Sequence, residues 1–245
     1  MVVITMKSQP VIAACDAYRS VHRMFRALRG KELWQRAQIR CETAWLGNPG
    51  ARWCVCPQGL SAESVVYSAG VGEEISFDLG LIERFGMRIH AFDPTPRSIA
   101  WVRDQALPKE FVFHPYGIAE LDGRCRFNPP RDPLHVSHTV LQRAGSGPAT
   151  ELPVHRLETI LRMLGHRQID LLKMDIEGAE YGVLADLLAG RVAVKQLLVE
   201  FHHRWPEVGI AKTKHAIGML QEAGYRVFSV SPSGEEYGFK MVVGR

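Results

Sequence analysis

Three residues have the types and spacing needed to move a proton. Glu200 and His202 lie at the end of the run Leu197-Leu198-Val199, and on an extended strand they share one face while His203 takes the other. An imidazole titrating near neutral pH can serve as general base, with the carboxylate beside it orienting the ring. Asp175 ends the run Ile169 to Met174. At the carboxyl end of a strand in an open α/β sheet, such a carboxylate can hold a cationic cofactor or a reacting hydroxyl. A metal on Glu200, His202 and Asp175 is the rival use of these residues, and structural hydrogen bonding is another; the expectation is that no metal is held. Glu177 and Glu180 follow Asp175 in the first turn of a helix, where the helix dipole accounts for them.

A second group of residues could cradle a nucleotide-like ligand. The stretch Ser64 to Asp78, SVVYSAGVGEEISFD, reads as a short buried strand, a glycine turn and the start of a helix. Gly70 and Gly72 let the chain turn tightly and let a ligand approach the backbone without meeting a Cβ. A dinucleotide fingerprint wants a further glycine where this chain has Ile75. Asp93 ends the run Ile89-His90-Ala91-Phe92 about 20 residues on, at the place of a ribose-binding carboxylate, and Pro94 leads the chain out of the sheet. Capping of the following helix is the plainer role for Asp93. Between Pro129 and Pro148 a polar loop carrying His135, Ser137, His138 and Thr139 is placed either to cover the ligand or to stand free at the surface.

Positioning these groups requires a sheet. Strand-like runs at Val65 to Ser68, Arg88 to Phe92, Phe111 to Pro115, Ile169 to Met174 and Val194 to Phe201 are separated by helical or loop segments, which predicts βαβ units and a mainly parallel sheet. Lys212 to Ala223 reads as a helix closed by Gly224. Tyr225 to Val230 and Tyr237 to Val243 are then joined by Ser231-Pro232-Ser233-Gly234, too short for a crossover, so the last strand must return antiparallel. Ahead of the sheet, residues 1–60 read as a helical extension. Tyr18, Val21, Phe25 and Leu28 form one stripe, and Leu33, Trp34, Ala37, Cys41 and Trp45 a second beyond Gly30, predicting two helices that dock on the core or on a second copy as a homodimer. Arg52 to Cys56 reads as a short edge strand, and residues 61–245 as the main domain.

The chain has 245 residues and a net charge of +4, too modest a charge to argue for nucleic acid. No stretch approaches the ~20 apolar residues that span a bilayer, so no membrane partner is expected. The N-terminus lacks the order of a signal peptide, with Lys7 after the apolar start. Five cysteines form an odd, thin set without zinc spacing at Cys54 and Cys56; a reducing cytoplasm is the expected compartment.

Taken together, VVYSAGVGEEISFDLGLIERFGMRIHAFDPTP, HPYGIAELDG, LLKMDIEGAEYGVL, QLLVEFHHRW and VFSVSPSGEEYGF resemble the FkbM family of S-adenosylmethionine-dependent methyltransferases, from about Val65 to the C-terminus. The resemblance implies a class I methyltransferase fold, a Rossmann-like sheet of seven strands whose last strand is antiparallel. It implies that Gly70 and Gly72 approach the methionine part of the cofactor, that Asp93 holds the ribose, and that Gly117 and Ile118 lie by the adenine. Many members carry an acid where this chain has Ser68, so the cofactor amino group would rely on Glu73 or Asp175. The implied reaction is O-methylation of a small-molecule hydroxyl, a sugar or secondary metabolite, with His202 as base beside Asp175 and Glu200. Two other readings stand beside it: an NAD(P)-dependent oxidoreductase using the same glycine turn, and a noncatalytic binding module on a methyltransferase fold.

Overall fold

Short runs of β-branched and aromatic residues, each ended by glycine, proline or a polar pair, alternate along this chain with segments of helical period, and that alternation builds the architecture. A computed structural model of the chain describes residues 9–129, 139, 141 and 148–242. The elements are α1 (Gln9–Leu28), β1 (Ala44–Leu46), β2 (Trp53–Val55), β3 (Val66–Ala69), α2 (Ser76–Phe85), β4 (Ile89–Phe92), α3 (Pro96–Arg103) and β5 (Phe111–His114). They continue with β6 (Gly117–Ile118), β7 (Gly123–Phe127), β8 (Thr150–His155), α4 (Leu157–Leu164), β9 (Ile169–Met174) and α5 (Glu180–Ala189). The chain closes with β10 (Val194–Glu200), α6 (Gly209–Glu222), β11 (Tyr225–Val230) and β12 (Glu236–Met241).

Seven strands form one sheet in the order β11-β12-β10-β9-β3-β4-β5. Neighbours β10, β9, β3, β4 and β5 pair parallel, and β12 runs antiparallel between β10 and β11, as the short terminal turn requires. Successive residues of the central strands bury on opposite faces. Leu172 and Leu197 join the core under α4, α5 and α6, whereas Leu171 and Leu198 pack with Val66, Ile89 and Phe77 of α2. Because both faces are covered, the middle strands are apolar almost throughout.

The N-terminal extension departs from the expected pair of helices. Among the described residues of the extension α1 is the one helix, and the stripe from Leu33 to Trp45 belongs to irregular chain running into β1. Strand β2 sits where an edge strand was expected, but it pairs with β1 in a separate hairpin. Trp53, Val55 and Cys56 of that segment are buried against the main sheet, and Gln196 of β10 clamps Cys56 through its backbone N–H and carbonyl (2.8 and 3.2 Å). The apolar stripe of α1 is not what docks it. Tyr18, Phe25 and Leu28 are exposed, while Arg23 is buried, donating to the carbonyls of Leu33, Gln35 and Ser231 and lying over Trp34. A small sheet of β6, β8 and β7 was not foreseen. The loop histidines His135 and His138, with Ser137, lie outside the described residues; Thr139 exchanges backbone hydrogen bonds with Asn128. Among the described residues, no helix is long and apolar enough to cross a membrane.

Candidate functional site

The glycine turn after β3 is fixed from several sides at once. Gly70 and Gly72 take φ of +83° and +55°. A Cβ on Gly70 would lie 1.7 Å from the Asp175 carbonyl oxygen, so no side chain fits between the tips of β3 and β9. Asp93 locks the turn from the β4 side. One carboxylate oxygen accepts the N–H groups of Val71 and Gly72 (both 3.0 Å), and the other accepts the N–H and hydroxyl of Thr95 (2.9 and 2.6 Å). These four donors fill the acceptor positions of the carboxylate, so a ribose hydroxyl would have to share it; the N-cap residue of α3 is Thr95, and Asp93 holds the glycine turn and Thr95 rather than capping the helix.

A cavity runs from this turn to the tip of β10. Gly70, Gly72, Glu73, Asp93 and Pro94 line one end, Gly117 and Ile118 a side, and Asp175, Glu177, Glu200 and Glu236 the other end. The hairpin segment closes over it with Arg52 and Trp53. Two of the residues singled out in the sequence are not on its wall. Ser68 is fully buried behind it, and His202 lies behind the carboxylates. Glu73, expected as a partner for the cofactor amino group, is bound in two places by the Arg97 guanidinium (2.7 and 3.0 Å), which holds its carboxyl below the usual range.

At the far end, Asp175, Glu200 and His202 bring one ligand-type atom each within 4.8 Å of one another. His202 Nε2 lies 3.4 Å from Glu177 and 3.8 Å from Asp175, Nδ1 lies 3.2 Å from Glu180, and the ring packs on Trp205. Burial alone would push the imidazole pKa down, but Glu180, Asp175 and Glu177 together outweigh it and hold it up at about 10. The surrounding carboxylates thus favour the imidazolium form, in which the ring has no lone pair with which to take a proton. Burial, then the nearby Asp175 charge, raises the Glu200 carboxyl well above the ordinary carboxylate range. Glu200 is thus a carboxylate on the cavity wall held away from its ordinary ionisation.

Sequence reasoning passed over three residues. Glu180 does more than answer the helix dipole: wholly buried, it accepts the N–H groups of Ile176 and Gly178 (both 2.9 Å) and faces His202. Lys173, buried on β9, lines the cavity, donates to the Gly70 carbonyl (2.8 Å) and lies over Trp53. Asp78 lines the same cavity from the first turn of α2 and is 2% exposed. A Lys among the leucines of a strand-like run was a signal for the second; Asp78, an acid in a first helical turn, gave none. His203, on the opposite face from His202, pairs with buried Glu32, whose carboxyl is lowered to about 2 by His203 and Arg204 despite its burial.

Comparison with known proteins places this geometry. The family model described as the methyltransferase FkbM domain matches residues 62–227. The chain is 28% identical over 176 residues to the probable methyltransferase-like protein 24 of Rattus norvegicus, covering 71% of this chain and 42% of that protein. To the human protein of the same name it is 29% identical over 144 residues, covering 58% of this chain and 33% of that one. The chain thus spans less than half the length of these relatives. Among solved structures it is similar to methyltransferase FkbM from Methylobacillus flagellatus KT (TM-score 0.46, 14% identity, 74% of this chain and 44% of that one). It is also similar to Aeropyrum pernix fibrillarin with bound S-adenosyl-L-methionine (TM-score 0.39, 12% identity, 86% of each chain). With a family model covering the glycine turn, Asp93, the Asp175 tip and the Glu200 strand in one span, the chain belongs to the FkbM methyltransferase family.

Proposed function

We propose that this chain is an S-adenosylmethionine-dependent O-methyltransferase whose acceptor is a hydroxyl of a small molecule. The observation that carries the reading is that one cavity joins the glycine turn to a wall of carboxylates holding a raised-pKa Glu200. The donor set suits the cofactor: glycine backbone at one end, and at the other the acids Asp175, Glu177, Glu200 and Glu236, whose field favours a sulfonium cation. When bound, the sulfonium supplies an activated methyl group to an in-line nucleophile.

The residues of this chain then have separate tasks. Gly70 and Gly72 allow the close approach of the methionine part, and Gly117 with Ile118 forms an apolar side for the adenine. Pro94 lies beside them on the same wall. Asp93 holds the turn in shape first, and a ribose hydroxyl would share an oxygen that already accepts from the chain. Glu200 takes the acceptor proton, Asp175 orients the hydroxyl, and the His202 imidazolium positions Asp175 from behind the wall. That division moves the base role expected of His202 to Glu200, because the carboxylates around the imidazole favour its protonated form, which accepts nothing. The five cysteines, none of them in a disulfide, suit a reducing, cytoplasmic setting.

The test is transfer of radiolabelled methyl from S-adenosylmethionine to a panel of hydroxyl acceptors, with cofactor affinity measured separately by calorimetry. Glu200→Gln is expected to cut turnover by about 10²–10⁴ with cofactor affinity retained. Unchanged turnover in that variant would make the cluster structural and leave the noncatalytic reading standing.

A further inference from the structure

Around the glycine turn stand four acids, and three are already committed. Asp93 is filled by four donors, Glu73 is bound by Arg97, and Glu74 accepts from the Ser76 N–H (2.7 Å) and the Asn48 amide (3.3 Å). The fourth is Asp78. Its Oδ1 is buried and makes no hydrogen bond of ordinary geometry among the described residues, and neither does the Ser68 Oγ beside it; burial pushes the carboxyl up, and the Lys173 ammonium and the Ser68 hydroxyl ease it only in part. A buried carboxylate oxygen without a donor is a costly thing to keep, and a site that keeps one at a cavity wall is shaped for a donor that arrives from outside.

We propose that Asp78 receives the α-ammonium of the cofactor's amino-acid end, with Lys173 donating to its carboxylate. The inference rests on the S-adenosylmethionine reading above and names the subsite within it. Lys173 lines the same cavity and spends its clearest hydrogen bond on the Gly70 carbonyl, so donors of its ammonium remain for a ligand. The wall thus offers one acidic and one basic group beside the turn, near enough for the Lys173 charge to act on Asp78, the complement of an amino-acid zwitterion. Strand β3 itself carries no acid, and Asp78 supplies a carboxylate from the neighbouring helix with the Ser68 hydroxyl beside it. The earlier expectation that Glu73 or Asp175 would do this gives way, since Glu73 is engaged and Asp175 faces His202.

The experiment is calorimetric and needs no turnover. On the wild-type protein, S-adenosylhomocysteine should bind roughly tenfold to a hundredfold tighter than its analogue lacking the α-amino group, the worth of one charge-assisted hydrogen bond in a buried site. In Asp78→Asn that ratio should collapse towards one, while 5′-methylthioadenosine, which has no amino-acid end, binds as it does to wild type. Equal wild-type affinity for the two homocysteine ligands overturns the assignment without any variant. So does an Asp78→Asn protein that keeps the full ratio, or one that loses methylthioadenosine in the same proportion. A wild-type protein that binds none of the three nucleosides instead removes the cofactor reading, and this subsite with it.

Discussion

The two ends of the cavity solve opposite problems. At the glycine turn every acceptor of Asp93 is matched to a donor within the chain, and the backbone of β3 touches that of β9 too closely for any Cβ. At the far end Asp175, Glu177, Glu180 and Glu200 crowd around one imidazolium, and the charges do not balance. The first end is rigid before a ligand arrives; the second stores electrostatic imbalance that a cation and a proton can relieve. A binding end gains from preorganisation, and a reacting end from groups held away from their resting ionisation.

The sharpest way to break the comparison is at its rigid end. Gly70→Ala places a methyl against the Asp175 carbonyl at a positive φ, and should cost about 3 kcal/mol or more of unfolding free energy. Urea denaturation measures it, and a variant as stable as wild type would mean the turn yields freely. Asp93→Ala comes next. It leaves the N–H groups of Val71, Gly72 and Thr95 without their acceptor, and should destabilise the ligand-free protein by about 2–4 kcal/mol. A carboxylate that served the ribose alone would leave that measurement unmoved.

How far the sequence disclosed these two ends follows from what sets them. All seven strands of the main sheet were legible, because buried parallel strands are apolar runs bounded by turn residues, and Ser231 to Gly234 left β12 no way to run except back. The hairpin β1–β2 and the sheet of β6, β7 and β8 were not. Gly117–Ile118 is two residues long, and Gly123–Phe127 carries arginines at alternate places, so neither has a hydrophobic period to read. Nor could the sequence say that α1 would bury Arg23 and expose Phe25, because amphipathicity names a stripe but not which side finds carbonyl partners. The residues of the acid cluster were visible one by one. Their ionisation was not, since it depends on Glu180 pointing back from α5 at His202, a contact between elements.

That ionisation gives the next prediction. The folded pKa of His202, about 10, lies above its ordinary 6.5, so the stabilisation it lends is fully present below about pH 6.5 and is lost as the pH rises towards 10. Unfolding free energy measured across that window should fall more steeply in wild type than in His202→Gln, with a difference on the order of a few kcal/mol. Parallel curves would mean that the imidazole is neutral in the folded state, and the proton-accepting role would return to it. The same electrostatics set the acid limb of turnover. Glu200 must be ionised to accept a proton, and with its pKa raised by burial and Asp175, turnover should decline on the acid side well above pH 4.5 and do so no longer in Glu200→Gln.

The smallest expected effect is the one that tests the boundary between the ends. Glu73 lines the cavity beside the glycine turn, yet its carboxylate is held by Arg97 at the surface, where solvent screens the pair and the net gain to folding is slight. Glu73→Gln should therefore leave the urea midpoint within experimental error and the affinity for S-adenosylhomocysteine within about twofold, a change too small for a lost charge-assisted bond. The contrast with Asp78→Asn is the informative quantity, since both substitutions turn a carboxyl that lines the same cavity into an amide. Long-range attraction of a cationic ligand would weaken in both alike. Only a direct contact separates them, because a hydrogen bond depends on which carboxylate oxygen is free to accept it, and here that oxygen belongs to the buried acid rather than to the one already paired.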